Sequence, residues 1–329
     1  MRHNNISVFV PHLGCPNSCS FCDQHTISGE LKAPGVDELR RLLTDAYRRI
    51  DDKKNTEIAF FGGSFTAIER GYMISLLKTA YEFIKNDGFY GIRISTRPDF
   101  ISSDILNILK QYGVTSIELG AQSMCDDVLN ANNRGHTADD VKKSSEHIKS
   151  YGFELGLQMM TGLYMSDKEK DLFTAKEIIS LKPETVRIYP VCVLNNTKLS
   201  RLYETGKYTL MPFDDMIELC SELLIMFSNA DIKVIKCGLH ASQDVKDKLV
   251  TGYYHPAFRE LCESMIYRKL FEKEISGSEE KYFEFSVNDR CLSKARGQSN
   301  ENITYFKNKG ITLKITADRD TEIFSVKRL

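Results

Sequence analysis

Apolar and polar positions follow two rhythms along this chain. Short β-branched runs predict strands at 6–10, 57–61, 92–96, 116–119, 153–160, 186–189 and 232–235. Between them, apolar residues spaced three and four apart predict amphipathic helices at 36–50, 71–84, 103–111, 138–150, 169–180 and 213–227. Strand followed by helix, about six or seven times over, is the pattern of a parallel α/β sheet. In a closed or half-closed barrel of that kind, function gathers at the carboxyl ends of the strands. The rhythm breaks after His240. A helical stretch from Tyr253, a strand at 282–287, a short helix around 292–307 and strands at 311–315 and 322–326 predict a small α+β appendage, dividing the chain into 1–240 and 241–329. No internal repeat or low-complexity linker interrupts either part.

Composition narrows the function classes. With 44 Lys and Arg against 45 Asp and Glu in 329 residues, the net charge is −1. The chain therefore lacks the general basic surface that non-specific nucleic-acid binding needs, and direct binding of tRNA or DNA would require a local patch. No apolar stretch approaches the ~18 residues of a membrane span, and the opening residues lack the apolar core of an export signal. A cytoplasmic protein is expected. Nine cysteines, an odd number in a chain too long to need disulfide staples, point to thiol or metal chemistry in a reducing compartment.

The chemistry concentrates directly after the first strand, where Cys15-Pro16-Asn17-Ser18-Cys19-Ser20-Phe21-Cys22 sets three thiols at CxxxCxxC spacing on a loop. Zinc sites usually take four protein ligands in two pairs, whereas three cysteines on an iron–sulfur cube leave the fourth iron open. Cys125, Cys192, Cys220, Cys237, Cys262 and Cys291 are scattered and form no second motif of this kind. The alternatives are three buried thiols, or a zinc knuckle completed by His12 or His25.

With these residues the sequence resembles the radical S-adenosylmethionine (SAM) superfamily, and further motifs agree. Phe60-Phe61-Gly62-Gly63-Ser64-Phe65-Thr66 ends the second strand, and Ser95-Thr96-Arg97-Pro98-Asp99 ends the third. Glu118-Leu119-Gly120-Ala121-Gln122-Ser123 ends the fourth, followed by Asn133-Arg134-Gly135-His136-Thr137. Over about residues 6–240 the wording is similar to the catalytic elongator subunit and, more distantly, to oxygen-independent coproporphyrinogen III oxidase. The resemblance implies a partial (β/α)6-type barrel with the α+β appendage. It implies a [4Fe–4S] cluster on Cys15, Cys19 and Cys22, with SAM chelated at the open iron. It further implies SAM contacts from Phe21, Gly62, Gly63, Ser64, Thr96, Glu118, Gln122, Arg134 and Gln158, although at Gln158 the relatives carry Asp or His. An electron donor of the flavodoxin or ferredoxin kind would start a reaction that yields a 5′-deoxyadenosyl radical. Tyr189, His240 and His255 are candidates for the substrate pocket, and Cys192 for returning a hydrogen atom to product.

The elongator subunit adds a basic tRNA-binding segment, a zinc insert and an acetyltransferase domain, and this sequence carries none of them. A small-molecule substrate is therefore expected. The activity expected first is queuine cleavage, a lyase reaction that leaves 7-aminomethyl-7-deazaguanine for queuosine salvage, with Glu118 or Glu154 reading the N–H edge of the base. The alternatives are radical modification of tRNA or another macromolecule, and a metal-binding protein without catalysis.

Overall fold

The computed structural model describes residues 4–11, 13–15, 19–23, 26, 27, 29, 30, 32–85, 87–240 and 242–329. His12 and His25, the sequence candidates for a fourth zinc ligand, lie outside the described residues.

Seven strands form one parallel sheet: β1 (Asn4–Val10), β2 (Thr56–Gly62), β3 (Gly91–Thr96), β4 (Val114–Gln122), β5 (Glu154–Thr161), β6 (Thr185–Pro190) and, after a short β7 (Cys192–Leu194) that leaves the sheet, β8 (Lys233–Cys237). Pairing follows chain order from β1 to β8, so the first and last strands are the two edges of a curled half-barrel. β8 forms at the last of the seven strand positions read from the sequence. Buried positions run almost without a break along β3 and β4, as they must in a parallel sheet covered on both faces.

The helices returning between strands are α1 (Val36–Arg49), α2 (Arg70–Glu82), α3 (Ser103–Gln111), α4 (Ala138–Ser150), α5 (Lys168–Ser180) and α6 (Phe213–Asn229). Their starts follow local chemistry. The Ser102 hydroxyl accepts from Ile105 N at 3.3 Å, and Thr137 with Asp140 closes a reciprocal capping box that fixes where α4 begins.

Two strands escape the sequence pattern because they are short: β7 and β9 (Leu249–Gly252) pair antiparallel as a ribbon beyond the end of β6. α7 (Phe258–Ile275) then spans two cores. Phe258, Cys262 and Ile266 belong to the barrel core, while Tyr267, Phe271 and Ile275 belong to the appendage core with Phe283, Phe285 and Phe306. The change of core thus falls inside α7, later in the chain than residue 240. The appendage sheet has β10 (Tyr282–Val287) between β11 (Thr312–Ala317) and β12 (Lys327–Arg328). The strand expected at 322–326 does not form. Phe324 takes a left-handed backbone conformation (φ 57°), and its N–H donates to the Tyr267 hydroxyl at 3.2 Å, so the chain turns there and pairs only at Lys327 and Arg328. Among the described residues no helix is long and apolar enough to cross a membrane.

Candidate active site at the carboxyl ends of the strands

The loop after β1 is clasped from both sides. Ser20 N–H donates to Asn132 O at 3.1 Å, the buried Ser20 hydroxyl donates to Asn132 Oδ1 at 2.6 Å, and Leu199 N–H donates to Ser20 O at 2.8 Å. Glycines let the loop lie on the end of β2. A Cβ on Gly14 would meet Ser64 O at 2.4 Å, and one on Gly63 would meet Leu13 O at 2.0 Å. Gly14 (φ 72°) and Gly62 (φ 115°) also hold backbone conformations that side chains disfavour. The Gly-Gly turn, expected as a SAM contact, is thus also the seat of the cysteine loop.

The thiols sit in a field set by two guanidiniums. Arg134 Nη1 donates to Cys19 Sγ at 3.1 Å, its Nη2 to Gly120 O at 2.7 Å, and its guanidinium lies 5.9 Å from the centre of the Phe21 ring. Arg97 is fixed by a two-pronged bond to Asp99 (2.9 and 2.7 Å) and feels the charge of Cys19 and Cys15. Burial pushes the Cys22 thiol up to about 12, with Cys19 and Cys15 adding to the rise and Arg134 opposing it. The Ser64 hydroxyl is 4.0 Å from Cys15 Sγ. Among the described residues no three His, Cys, Asp or Glu side chains converge as around a single ion. A cube asks something different, because each thiolate takes a separate iron.

Several buried polar atoms near the thiols lack a partner among the described residues: Gln122 Oε1, Arg134 Nε, Arg97 Nη1 and His136 Nδ1. Such atoms are costly to bury unless a ligand completes them. The set fits SAM, whose ribose hydroxyls donate and whose carboxylate accepts. Gln122 also holds a left-handed conformation (φ 66°) at the end of β4, a strained position of the kind found where a ligand is gripped. Sequence reasoning quoted His136 without giving it a role. Burial first, then Arg134, pulls its pKa down to about 4, so it is neutral with Nε2 3.2 Å from Ala121 O.

Inside the half-barrel runs a charge ladder that sequence reasoning missed. Arg93 Nε donates to Glu57 at 2.6 Å and Nη1 to Glu118 at 3.3 Å; Arg187 donates to both Glu118 oxygens at 2.7 and 2.9 Å, and Gln158 Nε2 donates to Glu118 at 2.8 Å. Burial alone would raise the Glu118 carboxyl, but Arg187 and Arg93 hold it below its ordinary value. The signal was available, since Arg187 and Tyr189 stand two apart on β6 and so face the same side.

Above the ladder lies a cavity of about 370 Å³. Of the residues expected to contact SAM or substrate, Phe21, Gly62, Gln122, Gln158, Tyr189, Cys192 and His240 line it, together with Cys22. Gly63, Ser64 and Arg134 belong to the surroundings of the cysteine loop instead, and the Thr96 hydroxyl is taken by Thr66 at 2.7 Å. Three more of the expected residues lie outside the cavity lining. Glu118 lies beneath the cavity with its oxygens engaged by Arg187, Arg93 and Gln158. Glu154, at the start of β5, accepts from Ser116 at 2.6 Å and lines a different cavity at the amino ends of the strands. His255 Nδ1 accepts from Ala257 N at 3.1 Å just ahead of α7 and does not line the site cavity. The described lining contains no carboxylate. Burial pushes the Cys192 thiol up to about 12, and burial and Lys236 push His240 down, so both are uncharged at neutral pH.

Comparison with known proteins agrees with this geometry. Residues 9–175 match the family described as the radical SAM superfamily, and residues 183–268 match a radical SAM C-terminal domain. The tRNA uridine(34) acetyltransferase of Dehalococcoides mccartyi is 23% identical over 252 residues, covering 66% of this chain and 55% of that protein. Human elongator complex protein 3 is 30% identical over 190 residues, covering 52% of this chain and 35% of that protein. The chain thus spans about half or less of the length of these two relatives. Among solved structures, Elp3 of Methanocaldococcus infernus superposes with a TM-score of 0.63 at 20% identity over 81% of this chain and 63% of that one. Coproporphyrinogen III oxidase of Escherichia coli gives 0.51 at 19% identity, over 70% and 53%. The chain belongs to the radical SAM superfamily, whose members bind a [4Fe–4S] cluster and SAM.

Proposed function

We propose that this chain is a radical SAM enzyme acting on a small planar molecule, with queuine cleavage to 7-aminomethyl-7-deazaguanine as its reaction. The observation that carries the small-molecule reading is the cavity of about 370 Å³, bordered by Cys22 and Gln122 and walled by Phe9, Phe21 and Phe61. When bound, the cluster and SAM supply a 5′-deoxyadenosyl radical that removes a carbon-bound hydrogen atom. Everything else falls to the protein. Cys15, Cys19 and Cys22 hold the cluster, and Arg134 steadies Cys19. Gln122 Oε1 takes a ribose hydroxyl of SAM, and Arg134 Nε with Arg97 Nη1 takes its carboxylate.

Aromatic walls exclude water from the reacting carbon and suit a flat base. Gln158, whose amide nitrogen is spent on Glu118, has its carbonyl oxygen to offer a ring N–H. In queuine the bond that breaks joins the aminomethyl nitrogen to the cyclopentenediol, and the nitrogen stays with the base. Loss of hydrogen from the ring carbon beside the C–N carbon leaves a radical whose β-scission breaks that bond, forming a ring double bond and a nitrogen-centred radical on the base. Cys192, a protonated thiol in the cavity wall, returns a hydrogen atom to that product radical, and one electron from the reductant with one proton from water restores the thiol.

A second reading, radical modification of tRNA, is favoured by the relatives named as tRNA uridine(34) acetyltransferases. One experiment separates the two. Protein reconstituted anaerobically with iron, sulfide, reductant and SAM is assayed for 5′-deoxyadenosine alone, with queuine and with tRNA. Queuine should raise the yield sharply and release the aminomethyl base; stimulation by tRNA and not by queuine would replace the lyase reading with the tRNA one.

A further inference from the structure

Among the described residues that line the cavity, one cation has nothing to neutralise it. Lys236 on β8 is the register partner of Arg187 on β6, and both line the cavity. Arg187 is committed to Glu118 through two short bonds. Lys236, half-buried, has no carboxylate or hydrogen-bond acceptor in reach among the described residues. The charged and titratable groups around it are Arg187, Arg259, Cys237 and His240, of which two are permanent cations. Burial and Arg187 together depress its ammonium below the ordinary lysine value, the mark of a charge that lacks a partner. Such a group is expensive to maintain unless something that enters the cavity completes it.

Position argues that the partner is substrate and not SAM. The cysteine loop follows β1, and the orphaned atoms Gln122 Oε1, Arg134 Nε and Arg97 Nη1 lie at or beyond the ends of β3 and β4. β8 is separated from β4, the strand that ends in Gln122, by β5 and β6. The apolar walls between are aromatic, with Phe9 and Phe61 at 6.2 Å and the Arg187 guanidinium 5.0 Å from the Phe61 ring centre.

We propose that Lys236 is the specificity-determining residue of this site, donating to an oxygen acceptor on a planar ring held against Phe61. This deepens the substrate reading above and rests on it: in a deazaguanine base the acceptor is the ring carbonyl oxygen. A site built around a buried donor discriminates strongly against an analogue without the acceptor, because the donor is then left unpaired.

The test uses cluster-loaded, SAM-bound protein and two probes differing only at that atom, 7-deazaguanine and its 6-thio analogue, which keeps the ring N–H and offers sulfur, a poor acceptor, in place of the oxygen. Binding is measured by calorimetry to wild type, Lys236→Met and Lys236→Arg. Wild type should prefer the oxo base by tenfold or more, Lys236→Met should lose the preference, and Lys236→Arg should restore part of it. The electron paramagnetic resonance response of the reduced cluster to SAM is the control for fold and cofactor. Discrimination without queuine turnover would leave Lys236 in its role and remove only the lyase reading. Equal binding of the probes by wild type, a preference that survives in Lys236→Met, no measurable binding of either probe, or loss of the SAM response in that variant would each overturn the proposal, the last by assigning Lys236 to SAM.

Discussion

Single side chains here carry roles that can be separated by experiment. Cys192→Ala removes the thiol from the cavity wall without touching the cysteine loop. It should leave SAM cleavage intact and abolish formation of the deazaguanine product, measured together by mass spectrometry; an unchanged product yield would exclude Cys192 as hydrogen-atom donor. Asp171, in the first turn of α5, makes a different kind of prediction. Its carboxyl accepts from Gly162 N at 2.8 Å and the Ser166 hydroxyl at 2.6 Å, pinning the loop after β5, yet burial raises its pKa to about 7. Between about pH 4 and pH 7 the folded state therefore holds a proton that the unfolded chain releases. Asp171 thus makes the fold less stable as pH rises through that window, by up to roughly 4 kcal/mol, and adds no further change above it. Asp171→Asn keeps an acceptor for Gly162 and cannot titrate. In urea melts at pH 5 and pH 8, wild type should lose more stability between the two than the variant does, and equal losses would contradict the assignment.

At the scale of elements, the central device is the fit between two loops. Gly14 and Gly63 give the cysteine loop its seat on the end of β2, and a Cβ on Gly63 would stand 2.0 Å from Leu13 O. Gly63→Ala should therefore lower iron incorporation on reconstitution, read as iron per chain, whereas Gly35→Ala, where a Cβ meets nothing within 4 Å, should not.

This level was largely legible in the sequence. The strands of the main sheet appear where their apolar runs lie, and α3 and α4 match their predicted limits because Ser102 and Thr137 cap them. What was not legible shares a physical cause. β7 and β9 are too short for alternation to register, and the turn at Phe324 depends on the hydroxyl of Tyr267, 57 residues away in the chain. At the site, motif residues were readable individually, but which of them share a cavity was not. Glu118 reads as a ligand contact from its place at a strand end, and only tertiary packing reveals the two arginines that occupy it.

For the whole molecule, the half-barrel joins two demands in one lumen. Its upper part is an apolar cavity with one unmatched cation among its described lining residues, and its floor is an ion-pair ladder from Glu57 through Arg93 and Glu118 to Arg187. A ladder of this kind is a weak source of net stability, but removing one member strands the others in a dry interior. Glu118→Gln should cost about 3–5 kcal/mol in denaturant unfolding, the scale measured when a buried pair is broken. A loss below ~1 kcal/mol would indicate that water reaches the lumen and screens the ladder. The appendage shares α7 with the barrel, so the two cores are tied by one continuous helix.

The account turns on hydrogen abstraction from a small molecule held in this cavity, and the most direct measurement is isotopic. Reconstituted protein is turned over anaerobically with SAM, reductant and queuine deuterated at its carbon positions, and both products are analysed by mass spectrometry. The account predicts deuterium in the 5′-deoxyadenosine, formed in step with 7-aminomethyl-7-deazaguanine. Unlabelled 5′-deoxyadenosine produced at the same rate with or without queuine would contradict it.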